Sequence, residues 1–359
     1  MKINYIHFII AVITSFLLTL IITPVVRKIA VKFNLVDKPS DRKVHKDLVP
    51  LVGGIVLLIV ITLSLLISGH LFSMPKYLYV IFSGATLLLI VGVIDDKIDI
   101  RASLKLLIQV ILAYYVFENG IRIEALYGVF GINSLPVFFQ YVLTLVIITG
   151  VINAFNLMDG IDGLALGLAI LSLLAYTFIA IILDQPLLAL ICLTLVGSLI
   201  ALLGYNFSLN NKIFMGDAGS LFLGFLLITL GIAMIQMAQS TSNISLVLSV
   251  VTGVLALPVI DSLRVYRQRL KSGNSLFKAD RTHLHHLILK IGLKQKQSSL
   301  LIVFFGFGFI ILSTFLGNYL GLTIAIVIIF FVFIMLTSVL NLFKMIIVWR
   351  QKIERLERG

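Results

Sequence analysis

The sequence has few of the residues that are typical of secreted or soluble proteins. Its single cysteine, Cys192, lies inside an apolar run, which excludes a disulfide framework and a thiol-based site. Charged residues make up only 12% of the chain, about half of what a soluble domain carries. No internal repeat, low-complexity tract or soluble domain is visible. The longest segment outside the apolar runs is residues 263–298.

Apolar residues are correspondingly abundant. They make up 60% of the chain, and the mean hydropathy is +1.13. Runs of about 17–22 residues recur, each long enough to cross a ~30 Å hydrocarbon core. We therefore predict an all-α polytopic membrane protein, a bundle of about eleven transmembrane helices. The predicted spans lie near 5–23, 52–69, 77–94, 104–117, 138–156, 163–183, 187–204, 220–238, 244–262, 299–317 and 320–341.

The charges are distributed unevenly between the two sides that these spans define. Of the 28 Lys and Arg, 25 fall on one side, which the positive-inside rule assigns to the cytoplasm, with the N-terminus outside and the C-terminus inside. Thirteen of the 16 acids fall on that side too. Since acidic residues are not sorted by this rule, their concentration predicts a functional cleft at the cytoplasmic face.

The segment Asn153–Ala165 joins two apolar runs and holds the densest set of polar residues. Acids in a membrane-embedded segment cost roughly 2.5–3.5 kcal/mol each, so they usually face a cavity, a metal or a substrate. Its glycines predict that the helix ends near Asp159. The plainer alternative is a polar hinge between two spans. The candidate residues are Asn153, Asn156, Asp159 and Asp162.

Asp95 and Asp96 end the third span. Adjacent helical residues point about 100° apart, so one carboxylate can face a cavity while the other faces the cytoplasm. Carboxylates are ligands that Mg²⁺ prefers, and the pair also offers a general base. The alternative is a solvated charge cluster balanced by Lys97 and Arg101.

A second acidic motif, Gly216–Ser220, opens the eighth span. A carboxylate such as Asp217 is stabilised near a helix N-terminus, and glycine there leaves backbone amides free for phosphate. The alternative role of Asp217 is an N-cap.

In the first cytoplasmic loop, Lys46 precedes Gly53-Gly54 and is suited to meet a phosphate as a point charge.

Three histidines, His283, His285 and His286, fall within four positions of a basic loop. On a helix, His283 and His286 would share a face and His285 would point elsewhere. A zinc site would need a further ligand such as cysteine, so phosphate contact or proton handling is favoured.

Residues 344–359 predict a cytoplasmic basic amphipathic tail that follows a membrane domain of residues 1–343.

Together these motifs favour a diphosphate bound through a divalent cation beside a substrate from the bilayer, hence phosphoryl transfer to a lipid. A secondary transporter is the remote alternative, but its acids should lie near the midplane and its sequence should show repeats. A transferase of CDP-alcohols would need an Ala-Arg soon after Asp159-Gly160, where this chain has Ile161-Asp162.

The motifs also carry a family resemblance that covers nearly the whole chain in order. Asp95-Asp96, Asn153–Ala165, Phe214–Ser220 and the cluster ending at His286 resemble the polyprenyl-phosphate N-acetylhexosamine-1-phosphate transferases. The histidine pattern is similar to the branch that starts O-antigen, enterobacterial common antigen and wall teichoic acid synthesis. That branch transfers GlcNAc-1-phosphate from UDP-GlcNAc to undecaprenyl phosphate and releases UMP, and relatives use other UDP-N-acetylhexosamines.

The resemblance implies a multi-pass enzyme of the bacterial inner membrane with Mg²⁺, or alternatively Mn²⁺, as cofactor; a homodimer is compatible with such a bundle. It implies that Asp217 binds the metal with Asn156 nearby. Catalytic roles are implied for Asp95, Asp96, Asp159, Asp162, His283, His285 and His286, and substrate contacts for Lys46, Asn153, Asn156, Gly216 and Arg281. Direct attack by the lipid phosphate and a covalent aspartyl-phosphate both stay open, as does which of Asp95 and Asp96 is the base.

Overall fold

A computed structural model describes residues 3–37, 48–273 and 282–357. Over these residues the chain forms twelve helices and two pairs of short antiparallel strands. The helices are α1 Tyr5–Lys32, α2 Gly53–Ile67, α3 Lys76–Ile98, α4 Ala102–Glu118, α5 Val137–Asn156, α6 Leu164–Ile182, α7 Pro186–Asn206, α8 Gly216–Ala238, α9 Ile244–Lys271, α10 Leu284–Lys290, α11 Gln295–Leu320 and α12 Leu322–Glu357. The strands are β1 Val36–Asp37, β2 Val49–Pro50, β3 Ala125–Val129 and β4 Ile132–Ser134.

Each of the eleven predicted spans coincides with one helix, which confirms the all-α polytopic class. In the described part, nine helices are long and apolar enough to cross a membrane. The other two are α2, an apolar helix of 15 residues, and α4, with 17. The prediction missed α10 because its seven residues are too few to show a helical period, and it missed the β3–β4 hairpin.

Helix α8 is the centre of the bundle, and every residue from Ala218 to Met234 is buried. A helix surrounded by neighbours is apolar on all sides, which explains its unbroken run. Two glycines allow close backbone contacts at its start. A Cβ on Gly92 would collide with Ala218 Cα, and one on Gly54 would lie 2.6 Å from the Gly219 backbone nitrogen. Small residues thus bring α3 and α2 against the N-terminus of α8.

The other helices pack around this centre, with α1 against α7, α6 against α7 and α9 against α11. Loops 157–163 and 207–215 lie with α10 at one end of the bundle, called here the site face. Hairpin β3–β4 follows α4 at the other end, where the Phe130 backbone N–H donates to Thr323 Oγ1 at 2.8 Å.

Helix α12 runs through the predicted boundary at residue 344. It continues without a break for 36 residues, about 54 Å, so the last span and the start of the predicted tail share one helix, and the cytoplasmic tail stays a prediction. The reason is local: no glycine or proline follows Gly321 until Gly359. The last turns carry an exposed i,i+4 ion pair between Arg350 and Glu354.

Candidate active site

A cavity of about 1440 Å³ opens at the site face, and eight of the predicted site residues line it. They come from the ends of α3, α5, α8 and α10 and from the turn after α5. They are Asp95, Asp96, Asn156, Asp159, Asp162, Gly216, Asp217 and His286. Asn153, His283 and His285 do not line the cavity, and Lys46 and Arg281 lie outside the described residues.

The N-terminus of α8 is capped by an acid from another helix. Asp96 Oδ1 accepts a hydrogen bond from the backbone N–H of Asp217 at 2.8 Å, and its Oδ2 accepts from that of Ala218 at 3.2 Å. Gly216 makes this approach possible: its φ is +68°, and a Cβ there would collide with Asp96 Oδ2. The cap predicted for Asp217 is therefore supplied by Asp96, which leaves the Asp217 side chain facing the cavity.

Asp217 is the junction of a polar network. Its Oδ1 accepts a hydrogen bond from Asn156 Nδ2 at 3.1 Å, and its Oδ2 pairs with Lys105 Nζ at 3.1 Å. The same ammonium lies 2.6 Å from Asp95 Oδ2, while Asp95 Oδ1 accepts the Ile100 backbone N–H at 2.7 Å. A cation thus sits between two carboxylates from different helices. Sequence reasoning missed Lys105, whose only signal is a lysine near the start of an apolar helix.

The turn after α5 carries the second pair of acids. Helix α5 ends at Asn156, close to the predicted end, and Asp159 and Asp162 project from residues 157–163. Asp162 pairs with Lys212 Nζ at 2.5 Å. Burial, followed by the negative charges of Asp217 and Asp96, raises the pKa of Asp159 well above its ordinary value. Both acids line the cavity.

Two buried contacts fix this turn. The Gly163 backbone N–H donates to Asn206 Oδ1 at 2.6 Å, and Asn206 Nδ2 donates to the Ile213 carbonyl at 2.9 Å. Gly163 has a φ of +77°, and a Cβ there would collide with the Phe207 ring. The Phe207 ring therefore packs against the turn.

The first loop is connected to the acidic motif through its backbone. Phe214 N–H donates to the Pro50 carbonyl at 2.9 Å, and the N–H groups of Val52 and Gly53 donate to the Phe214 carbonyl at 3.2 and 3.0 Å. The segment that follows Lys46 therefore lies directly beside the loop that precedes Asp217, and Leu48, Val49 and Leu51 line the cavity.

The three histidines do not act alike. Helix α10 begins after His283, so the predicted shared face of His283 and His286 is wrong. His283 and His285 are buried, and their rings are parallel with centroids 5.9 Å apart. Burial and the neighbouring histidines lower the pKa of His285 to about 3, so its imidazole is neutral at physiological pH. Only His286 lines the cavity.

Asn153 lies one turn further into the membrane than Asn156. Its Nδ2 donates to the side-chain oxygen of buried Gln109 and, at 2.8 Å, to the Thr149 carbonyl. This amide therefore connects α5 to α4 rather than facing the cavity. Among the described residues, the Lys and Arg side chains that line the cavity are Arg27, Lys105, Lys212 and Lys290. Arg27 Nη2 donates to the Asn210 carbonyl at 3.3 Å.

Known proteins similar to this chain agree on one family. Residues 78–235 match glycosyl transferase family 4. A Bacillus subtilis (strain 168) protein named probable undecaprenyl-phosphate N-acetylglucosaminyl 1-phosphate transferase is 34% identical over 309 residues, 85% of this chain and 83% of that one. Proteins named undecaprenyl-phosphate alpha-N-acetylglucosaminyl 1-phosphate transferase are similar too. That of Yersinia pestis is 35% identical over 80% of this chain and 78% of its own, and that of Escherichia coli K12 is 34% identical over 81% and 78%.

Proposed function

Because this chain belongs to glycosyl transferase family 4, we propose that it transfers GlcNAc-1-phosphate from UDP-GlcNAc to undecaprenyl phosphate and releases UMP. The observation that carries the proposal is the cavity at one end of an apolar bundle, lined by five acids of the predicted motifs together with lysines and His286. A water-soluble sugar nucleotide can enter such a cavity from solvent while a lipid phosphate reaches it from the bilayer.

The donor residues suit a hard divalent cation. The Lys105 ammonium lies between Asp95 and Asp217, so this position attracts positive charge. Among the described residues, no three His, Cys, Asp or Glu converge as a closed metal cage. Mg²⁺ is usually held by one or two carboxylates with waters and substrate phosphates, and an open site of this kind meets that need. Asp217 would hold Mg²⁺, or alternatively Mn²⁺, with the Asn156 amide beside it.

When bound, the cation would neutralise charge on the diphosphate and on the departing UMP. The remaining steps belong to this chain. Lys105, Lys212 and Lys290 offset the negative charge of two substrates that meet in one cavity. Asp96 uses both carboxylate oxygens to hold α8, whereas Asp95 lies beside Lys105 and Asp217, so we assign Asp95 as the base toward the lipid phosphate. An oxygen of that phosphate then attacks the β-phosphorus, and the bond to UMP breaks.

The orientation follows from charge. With 25 of 28 Lys and Arg on the side of the site face, we place the cavity and the C-terminus in the cytoplasm and the N-terminus outside. UDP-sugars are then available on the side where the cavity opens.

The test is transfer of label from UDP-[¹⁴C]GlcNAc to undecaprenyl phosphate by purified protein in detergent with Mg²⁺. We expect lipid-linked label and UMP, at least ~100-fold less in Asp217→Asn, and unchanged transfer in Asp184→Asn. Asp184 lies between α6 and α7 at the opposite end of the bundle, with a φ of +53° that asparagine also adopts. Failure of folded wild type with every UDP-N-acetylhexosamine would refute the reaction.

A second assay separates the two chemical routes. Direct attack predicts no exchange of labelled UMP into UDP-GlcNAc without the lipid acceptor. Acceptor-independent exchange would instead establish a covalent aspartyl-phosphate.

A further inference from the structure

A buried acid outside the cavity holds the segment that carries the histidines. Asp261, on α9, is 0% exposed and does not line the cavity. Its Oδ2 accepts a hydrogen bond from His283 Nδ1 at 2.9 Å, and its Oδ1 accepts from Arg264 Nη2 at 2.7 Å. Both oxygens also lie 3.2 Å from the Leu284 backbone N–H, and Arg264 Nη2 donates to the Thr282 carbonyl at 2.6 Å.

These contacts secure three consecutive residues, 282–284, from one carboxylate and one guanidinium. A buried ion pair contributes little net stability compared with an apolar core, because desolvation offsets the attraction. Such a pair does define geometry, since each bond is directional and charge-assisted. The Asp261–Arg264 pair therefore determines where α10 begins.

The residues that follow depend on that starting point. His285 lies against the backbone between Asp159 and Asp162, where a Cβ on Gly160 would approach His285 Nε2 to 2.5 Å. The His286 ring, 4.2 Å from that of His285, lines the cavity. A displaced start of α10 would move both rings relative to the acids of the turn.

We propose that Asp261 is a positioning residue for the transfer reaction, acting through His283 and the N-terminus of α10 to hold His286 at the cavity. The inference rests on the proposed function. It makes His283 part of the support rather than a substrate contact, and it assigns Asp261 a role that its position at the end of an apolar run did not indicate.

The first experiment compares Asp261→Asn with Ser262→Ala in the transfer assay. The asparagine side chain would keep the size of the aspartate but lose its charge. Its NH₂ group would also face one of the hydrogen-bond donors that Asp261 accepts from. We expect kcat/KM to fall about 10- to 100-fold, as for residues that orient functional ligands. Ser262 is the next residue, is also buried, and its hydroxyl has no hydrogen-bond partner in the described structure, so its variant should match wild type.

A double-mutant cycle with His286→Ala separates positioning from general damage. If Asp261 acts through His286, Asp261→Asn should cost less than about threefold in the His286→Ala background, because the interaction is already lost. Multiplicative losses would overturn the proposal, as would full activity of Asp261→Asn. Loss of transfer by wild type itself would refute the proposed function instead.

His283 supplies a rescue test that does not depend on Asp261→Asn folding. Asparagine in place of this histidine can donate to Asp261 as Nδ1 does, but it cannot replace Nε2. We expect His283→Asn to be at least tenfold more active than His283→Ala, at matched monodispersity and melting temperature. Equal loss in the two variants would mean that His283 acts through Nε2, and the proposal would fail.

Discussion

Asp96 caps a helix that begins about 120 residues further along the chain, since its Oδ1 accepts the backbone N–H of Asp217 at 2.8 Å. The contact places a negative charge at the positive end of the α8 dipole. It also fixes the backbone of the residue that we propose as the metal ligand. The acidic pair at the end of α3 therefore has two separate roles, one in structure and one at the cavity.

Asp96→Asn tests the structural role. An amide offers one oxygen, and its NH₂ group would face one of the two N–H donors, so we expect a loss of about 1–2 kcal/mol in stability. Transfer should fall at least tenfold because the start of α8 shifts. Melting temperature and kcat/KM in detergent would measure both, with Asp184→Asn as control. If Asp96→Asn were as stable as wild type, Asp96 would not be the cap of α8.

Gly216→Ala tests the close approach of α8 to Asp96. The added methyl would meet Asp96 Oδ2, and the φ of +68° is unfavourable for alanine, so we expect a ~100-fold loss of kcat/KM. Gly204→Ala is the matched control at the same end of the bundle. No atom lies within 4 Å of its Cβ position, and alanine favours the helix. Equal effects of the two variants would contradict this account.

Lys105→Met removes the ammonium between Asp95 and Asp217 and keeps most of the aliphatic stem. The two carboxylates would then lack their protein cation, so we expect half-saturation at a lower Mg²⁺ concentration together with a 10- to 100-fold lower kcat. Titration of transfer against Mg²⁺ measures both. Lys97→Met, an exposed lysine at the end of α3, should change neither. A higher Mg²⁺ requirement in Lys105→Met would refute the cation-binding role.

Asp159→Asn tests the charge repulsion in the turn. Because the folded-state pKa of Asp159 lies above its unfolded value, the unfolded chain ionises first, and wild type loses stability as the pH rises above about 4. Asparagine has no such loss. We expect the variant to melt a few degrees higher than wild type at pH 8 without Mg²⁺, with the difference shrinking toward pH 4. A difference that grows on acidification would contradict the raised pKa.

Several features could be predicted because they depend on local composition. The number of spans follows from runs that match the bilayer thickness, and the end of α5 near Asp159 follows from the glycines at 160 and 163. The grouping of the acids follows from alternation of the loops. For the spans and the end of α5 the evidence lies within about twenty consecutive residues, and the grouping of the acids needs only the number of spans between loops.

The roles of the histidines could not be predicted in this way. The spacing of His283 and His286 suggests one helical face, but α10 begins between them because Asp261 holds the Leu284 backbone N–H. Arg264, three residues along the same helix, is the partner of Asp261 that the sequence could indicate, but the sequence gives no sign of His283 and Leu284. The contacts of Asp261 with His283 and Leu284 join residues 22 and 23 positions apart, a separation that helical periodicity does not predict.

The sequence alone determines the membrane class, the number of spans and the end of the bundle that carries the chemistry. These features depend on the length of the apolar runs and on the charge of the loops, which act directly on insertion into the bilayer. Tertiary packing decides which acid caps α8, which lysine lies between the carboxylates and which histidine lines the cavity. The rotation and depth of each helix are set by contacts such as Gly92 on Ala218, made only when α3 and α8 meet. A displacement of one residue turns a helical side chain by about 100°, so these assignments exist only in the folded bundle.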